Sequence, residues 1–266
     1  MQLTQSMKDL LKSPFLTLLS ILLFINPLVM SNATKELFEF PKMFFVYYVG
    51  TLIFAIFLTN IVLKKQRIVW PSRIIFLYLL INLISTILSS HQYTSFWGYY
   101  SRFNEGMLSS LVYLGIYIVC INKLKISDFP GLMKVACLTL FPISLIGIMQ
   151  HFGFGTGVVE RVYSTFGQPN WLAQYLVMLL PLVLYLSITG FTMFWALLFI
   201  TGFSCLWFTY SVSGIVGFIA VSLVSTTIFY NKKLLNKKSL LRILTIYLVC
   251  LTVALSNLGL FKDKVT

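Results

Sequence analysis

Long apolar runs, separated by short polar segments, make up most of the chain. A membrane-spanning helix needs about 20 mostly apolar residues, because the hydrocarbon layer is about 30 Å thick and an α-helix rises about 1.5 Å per residue. The pattern therefore predicts nine transmembrane helices, at Pro14–Met30, Met43–Leu63, Ile74–Ser89, Met107–Asn122, Leu132–Gln150, Trp171–Ile188, Thr192–Thr209, Gly214–Tyr230 and Ile243–Leu260.

The composition agrees with a chain that is solvated by lipid. Of the 266 residues, 58% are hydrophobic and 10% are charged, and the mean hydropathy is +0.89. Soluble domains carry about 25% charged residues, so this chain could not cover its apolar surface in water. The composition excludes a soluble enzyme, a coiled coil, a collagen or a disordered tail. We predict an all-α, polytopic transmembrane helix bundle that forms one membrane domain over residues 1–266.

The net charge of +13 does not indicate a nucleic-acid partner. Nucleic-acid binding requires basic residues gathered on one soluble face. Here the basic residues fall in short clusters between apolar runs, so the lipid bilayer is the expected partner and nucleic acid is not.

These clusters also predict the orientation of the chain. With a cytoplasmic N-terminus, 14 basic residues lie in inner segments: Lys8, Lys12, Lys64, Lys65, Arg67, Arg73, Lys123, Lys125, Lys134, Lys232, Lys233, Lys237, Lys238 and Arg242. The outer segments hold 6: Lys35, Lys42, Arg102, Arg161, Lys262 and Lys264. Cytoplasmic loops carry an excess of Lys and Arg, so we predict the N-terminus inside and the C-terminus outside.

The first apolar run allows two interpretations. Basic residues precede it and Ser31-Asn32-Ala33 follows it, as in a cleaved signal peptide. The eight further runs favour an uncleaved first helix instead. Asn32-Ala33-Thr34 is also an N-glycosylation sequence, which matters only in a eukaryotic secretory pathway.

Cysteine and histidine give little sign of metal or redox chemistry. The cysteines are isolated within or at the ends of apolar runs, as small packing residues are: Cys120, Cys137, Cys205 and Cys250. His91 and His151 both lie on the predicted outer side, where either could titrate or act as a base. Neither has a metal-ligand spacing to another candidate ligand, so we expect no metal and no cofactor.

Two outer segments could carry polar chemistry. His91–Gly106 contains aromatic residues that suit a membrane interface, and it also holds Arg102 beside a predicted helix start. His151–Trp171 contains Arg161 and then Gln168-Pro169-Asn170, where Asn170 is expected to cap the sixth span. Polar capping alone could account for Asn170 and Gln168. A helix N-terminus beside an arginine is equally a site for a phosphate.

A third outer segment, Tyr210–Gly214, connects the seventh and eighth spans. Its serines are expected to cap the eighth helix, and its glycine to allow close packing between helices.

Two of these motifs resemble the O-antigen ligase family. Residues 161–182 read RVYSTFGQPNWLAQYLVMLLPL, which is similar to a family pattern of an arginine, a Gly-Thr-Phe-Gly-like turn, Pro-Asn, Leu-Ala and a helix ending in Pro-Leu. Residues 98–106, GYYSRFNEG, resemble an arginine-glycine segment that follows the third span in many members. The order and spacing of both motifs fit, and the resemblance covers most of the chain.

The resemblance implies a glycosyltransferase of the cytoplasmic (inner) membrane. Such enzymes pass a glycan from an undecaprenyl-pyrophosphate carrier to lipid A core, a polysaccharide or a protein, in a reaction thought to be inverting and metal-independent. Family arginines contact the pyrophosphate, which makes Arg161 and Arg102, with Asn170 and Gln168, the expected substrate-binding residues. The family's proposed base is a histidine in a large outer loop.

Two features depart from the family pattern. The turn before the eighth span reads Ser211-Val212-Ser213-Gly214, whereas many members carry an arginine there. The large outer loop and the last spans are absent from the sequence, so we expect either the N-terminal part of a longer protein or a shortened relative without the chemistry.

Two other functions remain open. A flippase or transporter of lipid-linked glycans would often show paired interrupted spans, which this pattern lacks. The other alternative is a non-catalytic membrane protein that binds the carrier or acts as a scaffold. In a scaffold, Arg102, Arg161 and Asn170 could be replaced without loss of any binding.

Overall fold

A computed structural model describes residues 10, 13–65, 67–154, 160–189 and 192–259. Over these ranges the chain folds into helices joined by turns and has no strand, which confirms the all-α class. Several residues of the predictions lie outside these ranges: Lys8, Lys12, Leu260, Lys262, Lys264 and residues 155–159 of the segment His151–Trp171.

The chain divides into two compact units between Leu132 and Met133. The helices of the first unit are α1 (Pro14–Ile25), α2 (Glu39–Lys64), α3 (Arg73–Ile87), α4 (Gln92–Trp97) and α5 (Met107–Lys123), with a 3₁₀ turn at Asn26–Leu28. Helix α2 packs against α1 and α5, and the short α4 packs against α3 and α5. Its core is formed by apolar side chains such as Ile53 and Phe57 of α2 and Val119 of α5.

A 3₁₀ turn at Ile126–Asp128 precedes the remaining helices. These are α6 (Phe129–Leu138), α7 (Leu140–His151), α8 (Pro169–Thr189), α9 (Thr192–Phe208), α10 (Val212–Asn231) and α11 (Lys237–Ser256). Helix α9 is central to the second unit, because it packs against α7, α8 and α11 and also touches α10. Its Trp195, Phe199 and Leu206 are almost completely buried.

Several of these helices have the length and composition of membrane spans. Five helical stretches qualify on both counts: Glu39–Lys64, Ile126–His151 (the 3₁₀ turn with α6 and α7), Pro169–Thr189, Val212–Asn231 and Lys237–Ser256. Shorter apolar helices lie at the other four predicted spans. Large apolar side chains such as Ile74 and Leu223 are 76% and 66% exposed, which suits contact with lipid rather than water. The structure therefore indicates a multi-pass membrane protein, while the number of spans and the orientation stay predictions.

The predicted span Leu132–Gln150 is interrupted. Helix α6 ends at Leu138 and α7 begins at Leu140, with Thr139 between them. Pro142 has no N–H to donate to the carbonyl of Leu138, and its ring crowds that carbonyl, so a continuous helix is disfavoured here. The Thr139 hydroxyl binds the Ala136 carbonyl at 2.6 Å and lies 2.6 Å from the Tyr175 hydroxyl.

Candidate functional site

The side chain of Arg161 joins the start of α8 to the end of α9. Its Nε donates to the Thr209 carbonyl at 3.0 Å, and its Nη2 donates to Asn170 Oδ1 at 3.0 Å. All three residues belong to the second unit. The structure thus brings together two of the predicted site residues, Arg161 and Asn170, and adds the Thr209 carbonyl, which the sequence did not indicate.

Buried hydrogen bonds fix the segment that carries Arg161. The Val162 N–H donates to the Phe208 carbonyl at 3.1 Å. The Ser164 N–H donates to Gln150 Oε1 at 2.7 Å, and the Ser164 hydroxyl donates to the Ile143 carbonyl at 2.7 Å. Buried polar groups without partners are costly, so these bonds hold the segment against α7 and α9 in one conformation.

Gln150 stabilises the segment that carries Arg161, and the sequence analysis did not identify it. Its side chain is 7% exposed, accepts from the Ser164 N–H and donates to the Ser164 carbonyl at 3.4 Å. These two bonds hold Ser164 at a φ of 48°, in the left-handed region. The position of Gln150 at the end of a long apolar run could have indicated this role, because a buried amide side chain needs a hydrogen-bond partner within the protein.

The prediction that Asn170 caps the sixth span is wrong. Helix α8 begins at Pro169, and Gln168 occupies the capping position: its carbonyl accepts from the Leu172 N–H and its Oε1 from the Trp171 N–H at 2.9 Å. Proline favours the first position of a helix, so the helix begins at Pro169 and its cap lies two residues before Asn170. Asn170 is thereby left to accept from Arg161.

The charge of Arg161 has no acidic partner within the described ranges. Both of these acceptors, Asn170 Oδ1 and the Thr209 carbonyl, are neutral oxygens. Glu160 precedes Arg161 in the chain, and the sequence then contains no Asp or Glu until Asp263. A guanidinium carries five N–H donors in a planar fork, and two are used here. The fork therefore has further donors that suit an anion beside the N-terminus of α8.

His151 lies next to this cluster. Its ring stacks on Phe208 with a centroid distance of 3.7 Å and an interplanar angle of 2°. Phe208 immediately precedes Thr209, whose carbonyl holds Arg161. The structure therefore places the one histidine of the second outer segment against the chain that positions the guanidinium.

The turn between α9 and α10 has the predicted capping arrangement. The Ser211 hydroxyl accepts from the Gly214 N–H at 3.2 Å, which confirms a serine cap for α10. Tyr210 in the same turn is buried, and this burial raises the pKa of its phenol. A tyrosine phenol is neutral at physiological pH, so Tyr210 adds no negative charge.

Arg102 belongs to the first unit and has a different environment. Its Nε lies 3.1 Å from Glu39 Oε2, at the start of α2, and its guanidinium lies over the Tyr99 ring. Nothing in the local sequence indicated Glu39 as the partner, because 63 positions separate the two residues. An acidic neighbour reduces the attraction of Arg102 for an anion, in contrast to Arg161.

Backbone geometry explains the two glycines around Arg102. Gly98 has a φ of 97°, and a Cβ there would lie 2.1 Å from the Asn104 carbonyl oxygen. The Tyr47 hydroxyl of α2 donates to the Phe103 carbonyl and ties the segment to that helix. The glycines of this motif thus have a structural role.

Within the described ranges, no three His, Cys, Asp or Glu side chains are grouped closely enough to hold a metal ion. Comparisons with protein-family models, curated proteins and solved structures give no match. The resemblance to O-antigen ligases therefore remains an expectation from two motifs, and we argue function from the geometry around Arg161.

Proposed function

We propose that this chain binds an isoprenoid-pyrophosphate glycan carrier at Arg161 and takes part in glycan transfer of the O-antigen ligase type. The observation that carries the proposal is a half-buried guanidinium held by two neutral oxygens, with no acidic partner in the described chain. A cation near hydrocarbon is costly unless a counter-charge accompanies it.

The chemistry of a pyrophosphate matches this arrangement. Two N–H donors anchor the guanidinium to Asn170 and Thr209, so the remaining donors keep a fixed direction. Charge-assisted, forked hydrogen bonds from arginine suit phosphate oxygens well. The N-terminus of α8, capped by Gln168, adds a partial positive charge at the same place.

The contact between Arg161 and Thr209 also addresses a departure from the family pattern. Many members carry an arginine in the turn before the eighth span, and this chain has serines there. Arg161 reaches the Thr209 carbonyl and supplies a guanidinium at that turn from the preceding segment. This placement supports a family-like site in spite of the missing motif.

In the proposed transfer, the hydroxyl oxygen of the acceptor attacks the anomeric carbon of the glycan. The bond from that carbon to the phosphate oxygen breaks, and the carrier pyrophosphate leaves with the electron pair. Arg161 stabilises the charge on this leaving group. The hydroxyl proton passes to a base, for which His151 is the candidate in the second outer segment.

Binding of farnesyl pyrophosphate, a short isoprenoid pyrophosphate, to the purified chain in nanodiscs tests the site. We expect Arg161→Ala to weaken binding about 10- to 100-fold, because charge-assisted hydrogen bonds are worth about 1.5–3 kcal/mol. Arg161→Lys should give a smaller loss, since lysine keeps the charge without the fork. Arg102→Ala should have a smaller effect than Arg161→Ala, because Arg102 already pairs with Glu39.

Arg73→Ala, at the exposed start of α3, is the matched control and should leave the affinity unchanged. An Arg161→Ala protein with parental affinity at several salt concentrations would overturn the proposal.

Proteoliposomes with a loaded carrier and an acceptor then distinguish a transferase, a flippase and a carrier-binding protein. Cleavage of the carrier indicates transfer, movement of intact carrier between leaflets indicates a flippase, and binding alone indicates a carrier-binding protein.

A further inference from the structure

An apolar cavity of about 330 Å³ lies at the N-terminal end of α9, at the opposite end of this helix from Arg161. Its walls include Ala196 and Leu197 of α9 and Leu241 and Ile246 of α11. Leu197 and Leu241 are largely exposed, so the cavity opens sideways to the surroundings of the helices. In a bilayer, this opening faces lipid.

One charged side chain, Arg242, lines this apolar cavity. No carboxylate pairs with it within the described ranges, and the sequence around it has no Asp or Glu. Four lysines lie close to it in sequence: Lys232, Lys233, Lys237 and Lys238. The positive-inside rule accounts for lysines in the connecting segment, but it does not require an arginine on the wall of an apolar cavity.

We propose that this cavity binds an anionic phospholipid of the inner leaflet. The lipid phosphate contacts Arg242, and one acyl chain lies against the apolar walls formed by α9 and α11. The neighbouring lysines favour a headgroup with net negative charge over a zwitterionic headgroup, whose ammonium they would repel. The acyl chain and the headgroup are thus recognised by different parts of one site.

This site is separate from the proposed carrier site. The 17 residues of α9 span about 25 Å at about 1.5 Å per residue. Arg161 is bound just after the C-terminal end of this helix, whereas the cavity involves its first turns. A lipid at Arg242 therefore cannot share the pyrophosphate contacts of Arg161, and each proposal can fail without the other.

Native mass spectrometry of the purified full chain tests the proposal, with phosphatidylglycerol and phosphatidylcholine of identical acyl chains as competing probes. We expect phosphatidylglycerol to bind preferentially. Arg242→Gln should weaken its binding about fivefold, the effect of one basic residue near an anionic lipid. Arg242 is exposed, so its replacement leaves the helix packing intact.

Two further variants separate a defined site from general surface charge. Ala196→Phe fills the cavity without changing the charge, and it should also lower phosphatidylglycerol binding. Arg73→Gln removes a comparable arginine at the predicted inner end of α3, and it should not. Equal binding of the two lipids, an equal loss in Arg73→Gln, or unchanged binding in both Arg242→Gln and Ala196→Phe would each overturn the proposal.

Discussion

At the scale of single residues, the cluster around Arg161 depends on close packing behind it. Gly147 of α7 faces Cys205 of α9 and Val162, the residue after Arg161. A Cβ at Gly147 would lie 2.4 Å from Cys205 Sγ and 3.0 Å from Val162 Cγ1. Both distances are shorter than ordinary van der Waals contact, so the absence of a side chain lets α7, α9 and the Arg161 segment approach.

Gly147→Ala should therefore destabilise the protein by about 1–3 kcal/mol, the usual cost of overpacking a buried site. Gly217→Ala in α10 is the matched control, because a Cβ there meets only Val177 Cγ1 at 3.6 Å. It should be neutral or stabilising, since alanine is a better helix former than glycine. The thermal unfolding midpoint of each variant can be measured with a fluorogenic reagent that reacts with the buried thiols as they become exposed. Equal unfolding midpoints for the two variants would contradict the packing argument.

At the scale of elements, the start of α8 shows how a cap sets a site. Gln168 satisfies the Trp171 N–H, and Pro169 needs no acceptor, because it has no N–H. The Asn170 side chain in the same turn is then directed to Arg161. The cap and the site are thus built from consecutive residues with separate roles.

Gln168→Ala should weaken the first turn of α8 by about 1 kcal/mol, a typical value for loss of a capping side chain. Gln174→Ala, in the same helix and exposed, should have no such effect. Hydrogen exchange of the backbone amides in the first turn of α8 measures the difference. If both variants exchange at the parental rate, Gln168 does not act as the cap.

At the scale of the whole molecule, the basic residues predict the sides on which the two proposed sites lie. Arg161 falls in a predicted outer segment and Arg242 at a predicted inner boundary. Within the second unit these residues lie at opposite ends of α9, as a helix that crosses the bilayer requires. The carrier site would then face outward and the lipid site would face the inner leaflet.

Single-cysteine labelling with a membrane-impermeant reagent tests this orientation in intact cells. Tyr100→Cys, on an exposed residue of the predicted outer segment His91–Gly106, should be labelled from outside. Lys233→Cys, between α10 and α11, should be labelled only after the membrane is opened. Labelling of Lys233→Cys in intact cells, above the parental background, would show that the orientation is reversed.

Local properties of the chain were predictable because they depend on neighbouring residues. The apolar runs marked where helices form, and helices were found at all these positions, since hydrogen bonding within a helix is local. The serine cap of α10 was predictable for the same reason. The cap of α8 was assigned to Asn170 instead of Gln168, and the break at Thr139 was not predicted, although Pro169 and Pro142 were the local signals.

The sequence by itself determined that this protein is helical and solvated by lipid. Composition and the length of the apolar runs decide whether a folded chain is stable in lipid or in water, and a single span in lipid must satisfy its own backbone groups as a helix. Only the tertiary structure decided which polar groups meet. Arg161 binds a carbonyl 48 positions away, Gln150 holds Ser164, and Arg102 pairs with Glu39 instead. Such partners depend on how helices pack. Every residue has a backbone carbonyl, so the sequence does not show that the carbonyl of Thr209 accepts from Arg161.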